Sequence, residues 1–244
     1  MQSGGSQIDI IPAIDLRNGK CVRLFQGDYQ RETVFNDDPL QVALQWQSMG
    51  AKRLHIVDLD GAKAGESVNF EIIAAIAGTL RLPVQLGGGL RTLETINRVL
   101  QAGVKRVILG TAAVENPDLV KAACRQDAEA VIMSIDARDG LVATRGWLKS
   151  TGLRAVDLAK EMSGLGVRRF IYTDIKRDGT LSGPNYAALS DLMEAVKLPV
   201  IAAGGISSLE NLKALKQAGV EGAIIGQALY TGNINLKEAL ALAL

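Results

Sequence analysis

An internal repeat constrains the fold of this chain more than any other feature of its sequence. Residues 82–112 and residues 198–228 align without a gap at an offset of 116, with 14 identities in 31 positions. Two weaker matches join the same two halves: residues 11–19 with 132–140, and residues 54–61 with 170–179, the latter with two extra residues in the second copy. The chain therefore consists of two similar halves joined end to end.

Short apolar runs alternate with amphipathic stretches along both halves. Eight runs are rich in β-branched or aliphatic residues, as buried parallel strands are: Asp9–Ile14, Arg53–Leu59, Val84–Leu86, Arg106–Leu109, Ala130–Ile135, Arg169–Thr173, Val200–Ala203 and Ala223–Ile225. Six stretches have apolar residues near helical spacing: Leu40–Met49, Leu93–Gln101, Leu119–Cys124, Leu153–Met162, Tyr186–Ala195 and Leu209–Gln217. Such alternation indicates either a closed (β/α)8 barrel or a doubly wound open sheet.

The repeat favours the closed barrel, because two four-strand halves close one barrel, whereas an open sheet has a less natural place for such symmetry. We therefore predict an α/β fold of the (β/α)8 TIM barrel type, built from two homologous half-barrels. It occupies residues 8–244 as a single domain, and residues 1–7 are expected to form a flexible leader. A chain of this length can bury a core without disulfides or metals.

Composition argues against several classes of protein. A formal net charge of +1 is too low for a general nucleic-acid surface. His55 is the only histidine, and Cys21 and Cys124 form no CxxC pair, so a Cys/His zinc site lacks ligands. No apolar run is long enough to span a membrane, and the first residues do not form a signal peptide. We expect a cytoplasmic monomer with free thiols, and no metal, nucleic-acid or membrane partner.

Glycines follow the strands at matching places in the two halves and predict two phosphate sites. They let the backbone bring its N–H groups close to an anion, and the next helix adds a favourable dipole. The candidates are Gly88, Gly89, Arg91, Gly110 and Thr111 in the first half, and Gly204, Gly205, Ser207, Gly226 and Gln227 in the second. Ser207 is the weaker candidate, because its alternative role is to cap the N-terminus of the helix that follows. The alternative is that the glycines only make tight turns, which the matched pair disfavours.

Two aspartates end opposite strands of the predicted barrel. Asp15 follows the first strand and Asp136 follows the fifth, so both side chains are expected at the mouth between the two phosphate sites. An isomerisation by proton transfer needs one group that accepts a proton and another that donates one. The alternative is a structural salt bridge to Arg17 or Arg138.

The sixth strand adds further polar candidates. Thr173 is placed to hydrogen-bond a reacting group or orient a carboxylate, and Asp178 on the following loop is placed to hold hydroxyls. Asp58 and Asp174 are repeat partners, and loop anchoring is the favoured role for both. For His55, in the middle of a strand, we expect a core or partly buried position.

Two loops provide the remaining candidates. Residues 140–147 are long enough to fold over the mouth, where Trp147 could stack on a flat heterocycle or plug the site. Arg23, in the β-prone run Lys20–Phe25, is a candidate partner for a carboxamide or a phosphate, with a solvated arginine as the alternative.

Several ordered motifs carry a family resemblance: IPAIDLRNGKCVRLFQGDY, LHIVDLDGAKAG, QLGGGLR, ILGTAAVENP, SIDARDG with the following RGW, YTDIKRDGTLSGPN, AAGGISS and IIGQALY. Together they cover nearly the whole chain after residue 7 at the expected spacing. The chain thus resembles the HisA family of histidine-biosynthesis isomerases. The resemblance implies a (β/α)8 barrel that performs an Amadori rearrangement on a substrate with two phosphates, without metal or organic cofactor.

The resemblance also implies individual roles. Asp15 matches the general base that moves the C2′ proton, and Asp136 matches the general acid that helps to open the ribose ring. Thr173 and Asp178 match positions that assist at the reacting sugar, and the glycine sites match the two phosphate sites.

Three alternatives remain open at this point. Arg145 lies two residues before Trp147, a spacing found in the bifunctional relative PriA, which also isomerises phosphoribosylanthranilate; Arg145 is therefore a candidate substrate-binding residue. The cyclase subunit of imidazole glycerol phosphate synthase shares the aspartates, the repeat and both phosphate sites. A non-catalytic phosphosugar-binding barrel would keep the glycines without needing both aspartates.

Overall fold

The computed structural model describes residues 7–243, so most of the predicted leader lies outside the described residues. The strands are β1 (Asp9–Arg17), β2 (Lys20–Phe25), β3 (Asp28–Asn36), β4 (Leu54–Asp58), β5 (Val84–Gly87), β6 (Arg106–Leu109), β7 (Val131–Arg138), β8 (Leu141–Thr144), β9 (Lys149–Arg154), β10 (Phe170–Asp174), β11 (Val200–Ala203) and β12 (Gly222–Ile225). Eight of them, β1, β4, β5, β6, β7, β10, β11 and β12, pair in parallel in that order. The parallel pairing of β12 with β1 closes the ring, which confirms the predicted (β/α)8 barrel.

The helices are α1 (Pro39–Ser48), α2 (Leu59–Ala64), α3 (Phe70–Thr79), α4 (Leu93–Gln101), α5 (Thr111–Glu115), α6 (Pro117–Asp127), α7 (Ala155–Gly164), α8 (Tyr186–Val196), α9 (Leu209–Ala218), α10 (Gln227–Tyr230) and α11 (Leu236–Ala243). The six predicted helices correspond to α1, α4, α6, α7, α8 and α9. The stretch predicted from Leu153 onward was too long at its start, because residues 153 and 154 belong to β9. In the described part of the chain, no helix is long and apolar enough to cross a membrane.

Two antiparallel hairpins, at equivalent places in the two halves, were not predicted. β2 folds back on β1 through a turn at Asn18-Gly19, where φ is 49° and 75°. β8 folds back on β7 through a turn at Asp139-Gly140, where φ is 53° and 76°. Positive φ at both central residues is typical of the type I′ turn that joins hairpin strands. The repeat therefore extends from the barrel strands into the loops above them.

The core has an inner and an outer part. The outer part lies between the strands and the helices, and Phe170 is its largest fully buried side chain. The inner part lies inside the barrel and consists of Ile11, Ala13, Ile108, Ile132, Ile171, Ile201 and Ile224. Because branched aliphatic side chains fill the interior, the barrel is a packed core and not a pore.

Candidate active site

A cavity opens at the carboxyl ends of the barrel strands, where function sits in barrels of this type. Fifteen of the seventeen predicted site residues line it: Asp15, Arg23, Gly88, Gly89, Arg91, Gly110, Thr111, Asp136, Trp147, Thr173, Asp178, Gly204, Gly205, Gly226 and Gln227. The two that do not are Arg145 and Ser207. Residues that are up to 212 positions apart in sequence thus meet in one place.

Asp15 forms an ion pair with Arg23 on the neighbouring hairpin strand. Arg23 Nη1 lies 2.5 Å from Asp15 Oδ2, and both side chains are largely buried. Burial by itself lowers the pKa of Arg23, but the carboxylates of Asp15 and Asp178 outweigh it and raise that pKa. The guanidinium is therefore a permanent positive charge at the cavity, held directly beside Asp15.

Asp136 has a neutral partner instead. The hydroxyl of Ser134 donates to Asp136 Oδ1 at 2.9 Å from the same strand, β7. Residues i and i+2 of a strand face the same side, so this pair forms within one face of the barrel interior. No ion pair to Asp136 forms within residues 7–243. The two aspartates, although matched by the repeat, therefore have different electrostatic surroundings.

Asp178 joins the two aspartates in the same space. Burial raises the pKa of Asp178 to about 6; Arg23 lowers it, and the charges of Asp15 and Asp136 raise it further. The backbone carbonyl of Asp178 accepts a hydrogen bond from Gln26 N at 3.3 Å, which ties its loop to the first hairpin. The three carboxyl groups are close enough to influence one another. Because like charges repel, one of them is favoured to hold a proton near neutral pH.

Thr173 lies beside Asp136 in the sheet. The two residues are register partners across the β7–β10 pair. Both also line the cavity, so the Thr173 hydroxyl is available to the group on which Asp136 would act. From sequence Thr173 was expected to hydrogen-bond a reacting group or to orient a carboxylate, and its place beside Asp136 allows both roles.

The glycine pairs after β5 and β11 have positive φ: 100° and 74° for Gly88 and Gly89, and 84° and 78° for Gly204 and Gly205. A Cβ on Gly89 would lie 2.3 Å from Glu66 O, and one on Gly205 would lie 2.3 Å from Gly183 O. Both conformation and space therefore demand glycine. The glycines themselves occupy equivalent repeat positions, which gives the cavity two similar backbone sites at opposite sides, although the carbonyls that they approach are one residue out of step between the halves.

Asp58 and Asp174 anchor the loops on which these glycines rest. Asp58 accepts from Asn69 Nδ2 at 2.8 Å, and Asp174 accepts from Asn185 Nδ2 at 2.7 Å. The structural role expected for both aspartates is therefore correct. Each asparagine follows its aspartate by 11 residues, so the loops have equal length. This corrects the alignment, which placed two extra residues in the second copy, and it makes Ala62 the counterpart of Asp178.

Gly226, predicted to bind a phosphate, also leaves room for the side chain of Arg23. A Cβ at this position would lie 0.8 Å from Arg23 Nη2, so the guanidinium of Arg23 occupies the space that any side chain would need. Gln227, the next residue, begins α10 and lines the cavity.

The turn between β8 and β9 places Trp147 at the cavity but keeps the side chain of Arg145 away. A Cβ on Gly27 would lie 2.3 Å from the Trp147 ring, so the indole packs directly against the turn between β2 and β3. Arg145 Nε donates to Glu115 Oε1 at 2.7 Å, and its side chain is exposed. Its backbone N–H donates to Thr111 Oγ1 at 2.8 Å. Arg145 thus acts on the site through its backbone rather than its guanidinium.

Ser207 is bonded within the loop after β11. Its hydroxyl and its backbone N–H both lie 3.1 Å from Asn211 Oδ1. The neighbouring Ser208, not Ser207, caps α9 by accepting from Asn211 N. The side chain of Ser207 therefore serves the loop instead of the cavity in this structure.

Ser134 and His55 are among the cavity residues that were not predicted to line it. Ser134 could have been found from its position two residues before Asp136 on a strand. His55 is buried, as expected, yet it also lines the cavity floor and contacts Gln85. A lone histidine within a strand carries no pattern that distinguishes a core role from a site role.

Known proteins provide an independent comparison. The family model described as "Histidine biosynthesis protein" matches residues 9–235. A relative from Dehalococcoides mccartyi is 61% identical over 96% of both chains. Relatives from Picosynechococcus sp. (57% identical, over 96% of this chain and 92% of the relative) and Roseiflexus castenholzii (55%, over 96% and 99%) are similar. All three are named imidazole-4-carboxamide isomerases, with two 5-phosphoribosyl groups in the name. The chain belongs to the histidine biosynthesis protein family.

Proposed function

We propose that this protein is an aldose–ketose isomerase of histidine biosynthesis. It converts the bis-phosphorylated formimino aminoaldose ProFAR to the aminoketose PRFAR by an Amadori rearrangement. One observation carries the proposal: Asp15 and Asp136 end opposite barrel strands in a cavity flanked by two glycine sites suited to phosphates. The names of the relatives support the same reaction.

The different partners of the two aspartates support different roles. Arg23 holds Asp15 in place by an ion pair at the cavity, which suits a group that accepts a proton as a general base. Asp136 is paired with the neutral Ser134, whose hydroxyl can donate to a carboxylate or accept from a carboxylic acid. This arrangement suits a general acid that changes its protonation state during the reaction.

The reaction balances with proton transfers alone. Asp136 gives a proton to the ring oxygen as the bond from C1′ to that oxygen breaks and the amino nitrogen forms a double bond to C1′. Asp15 then takes the proton from C2′, which leaves an enol with a double bond between C1′ and C2′. The enol hydroxyl releases its proton as C1′ gains one, so the ketone forms, and proton exchange with water returns both aspartates to their starting states. Neither oxidant nor reductant is consumed, so we propose that no metal or organic cofactor takes part.

Thr173 and Asp178 assist at the sugar. Thr173 adjoins Asp136, and its hydroxyl can hold the opening ring in place. Asp178, with a pKa raised to about 6 by burial, can accept from or donate to sugar hydroxyls near neutral pH. The phosphates bind at Gly88, Gly89, Arg91, Gly110 and Thr111 on one side, and at Gly204, Gly205, Gly226 and Gln227 on the other.

The test is turnover of the formimino aminoaldose without metal or cofactor, coupled to the synthase that consumes the product. We expect Asp15→Asn and Asp136→Asn each to lower kcat by about 10²- to 10⁴-fold, the usual contribution of one acid–base group. Fold and ligand binding should persist, as circular dichroism and calorimetry would show. Full activity in both variants would refute the mechanism.

Parallel reactions separate the alternatives. Turnover of phosphoribosylanthranilate would establish a bifunctional enzyme, although Arg145 pairs with Glu115 outside the cavity and so does not favour it. Ammonia-dependent ring closure would identify a cyclase, and binding without any turnover would identify a phosphosugar-binding barrel.

A further inference from the structure

The two ends of the cavity have similar glycine turns, so a substrate with two phosphates finds a backbone site at either end. Gly88-Gly89 and Gly204-Gly205 all have positive φ and lie close to neighbouring backbone, although Arg91 lines the first end and its counterpart Ser207 does not line the second. Only one orientation would place the correct sugar carbons beside Asp15 and Asp136. Some feature of the cavity must therefore break the twofold similarity.

One difference between the halves lies deep in the cavity, where one pair of positions is polar in the first half and apolar in the second. His55 and Gln85 are register partners on β4 and β5. Their repeat counterparts, Ile171 and Ile201, are register partners on β10 and β11. The same two places in the barrel interior thus hold a polar pair in one half and an apolar pair in the other.

His55 is held as a neutral imidazole of fixed orientation. Gln85 Nε2 lies 3.0 Å from His55 Nδ1. An amide nitrogen can only donate, so Nδ1 is the acceptor and the ring proton is on Nε2. Burial and the charge of Arg23 lower the pKa of His55 to about 3, so the ring is uncharged at neutral pH.

The remaining N–H of this ring is available to a ligand. His55 Nε2 has no hydrogen-bond partner among the residues that the structure describes, and it is not one of their fully buried polar atoms. His55 lines the cavity, as does Ile171 across from it. This N–H is therefore open to the cavity, and a bound molecule that displaces water from it is favoured when it offers an oxygen at this place and disfavoured when it does not.

We infer that His55, oriented by Gln85, is a specificity-determining residue that selects which way round the substrate lies. Its Nε2–H donates to an uncharged oxygen, either a hydroxyl or a carboxamide carbonyl, on the non-reacting part of the substrate. In the reversed orientation that oxygen would face Ile171, which cannot donate, and His55 would lose its acceptor. This inference rests on the proposed function, because it requires a substrate with two phosphates.

The test compares His55→Leu, which removes the donor, with His55→Gln, which keeps an N–H at similar reach. We expect His55→Leu to lower kcat/KM about tenfold and His55→Gln to restore most of it. Ile201→Val, at the place in the other half that matches Gln85, is the packing control, because Ile201 belongs to the inner core and does not line the cavity; it should leave kcat/KM within about twofold. If His55→Leu does not fold, Gln85→Leu, which frees the ring from its partner, should show a smaller loss in the same direction.

Orientation is observed directly by phosphorus NMR of the bound aminoketose. The wild-type protein should give two bound resonances, one for each phosphate, whereas His55→Leu should give additional ones from the reversed complex. Two unchanged resonances together with an unchanged kcat/KM in this variant would overturn the inference alone. A wild-type protein that neither binds nor converts the two-phosphate compound would overturn the proposed function as well.

Discussion

Arg23 Nη1 lies 2.5 Å from Asp15 Oδ2, in a position that only a glycine at residue 226 leaves open. Gly226 is therefore linked to Asp15, the proposed general base, through the arginine between them. A glycine that was expected only to bind phosphate also makes room for the ion pair.

This link predicts that two different substitutions have similar effects. Arg23→Gln removes the charge beside Asp15, and Gly226→Ala displaces the guanidinium that carries it. We expect each to lower kcat/KM by about 10- to 100-fold, the range for a charge-assisted hydrogen bond. Steady-state kinetics on the coupled assay measures both. Wild-type activity in Gly226→Ala would show that Arg23 does not need its observed position.

The stability of the fold should depend on the ionisation of Asp178. Burial raises the pKa of this group from 3.8 to about 6, so folding disfavours its charged form. Below about pH 4 Asp178 is neutral in both the folded and the unfolded protein, so its burial does not lower the free energy of unfolding. As pH rises from about 4 through 6, ionisation of the unfolded state lowers the free energy of unfolding. Relative to wild type, Asp178→Asn should therefore gain about 1 to 3 kcal/mol of unfolding free energy between pH 4 and pH 7.5. Urea unfolding at both pH values tests this, and an equal difference at the two would contradict it.

Gly205→Ala should damage both the fold and the second phosphate site. The new Cβ would lie 2.3 Å from Gly183 O, on a backbone with φ of 78°. We expect a loss of about 1 to 3 kcal/mol in stability and a higher KM. Gly78→Ala is the matched control, because it lies within α3 with no atom within 4 Å of the added Cβ. That variant should be neutral or slightly more stable, and an equal loss in both would refute the steric explanation.

Asn69→Ala should destabilise the protein through Asp58. Asp58 is fully buried, and Asn69 donates to it from both its side chain and its backbone, at 2.8 Å and 3.0 Å. Removal of the side-chain donor leaves a buried carboxylate short of one hydrogen bond, at a cost of about 1 to 3 kcal/mol. Thermal unfolding followed by circular dichroism measures the loss. Asn185→Ala, the counterpart in the second half, should cost a similar amount, and no loss in either would show that these loops do not need their anchors.

Most of the barrel could be predicted from the sequence, because buried parallel strands are short apolar runs with little ambiguity. All eight predicted strands overlap the observed barrel strands. Five helices were not predicted: α2, α5 and α10 are only four to six residues long, and α3 and α11 are rich in alanine. The hairpins escaped prediction although Asn18-Gly19 and Asp139-Gly140 are dipeptides that favour such turns.

The candidate site was predictable where the repeat or a strand end marked a residue, as at Asp15, Asp136 and Gly205. It was not predictable where a role depends on a long-range partner. Glu115 holds the side chain of Arg145, and nothing in the sequence near either residue indicates that pair. The direction of a side chain is set by such neighbours, which only the folded chain brings together.

The pairing of β1 with β12 also matters while the protein is being made. The first of these strands leaves the ribosome early, but its second parallel neighbour is synthesised last: Asp9 pairs with Gly222. Until then one edge of β1 has exposed N–H and C=O groups, and such an edge can pair with another nascent chain. The step that joins the ring is therefore the one at which self-association competes most directly with correct folding.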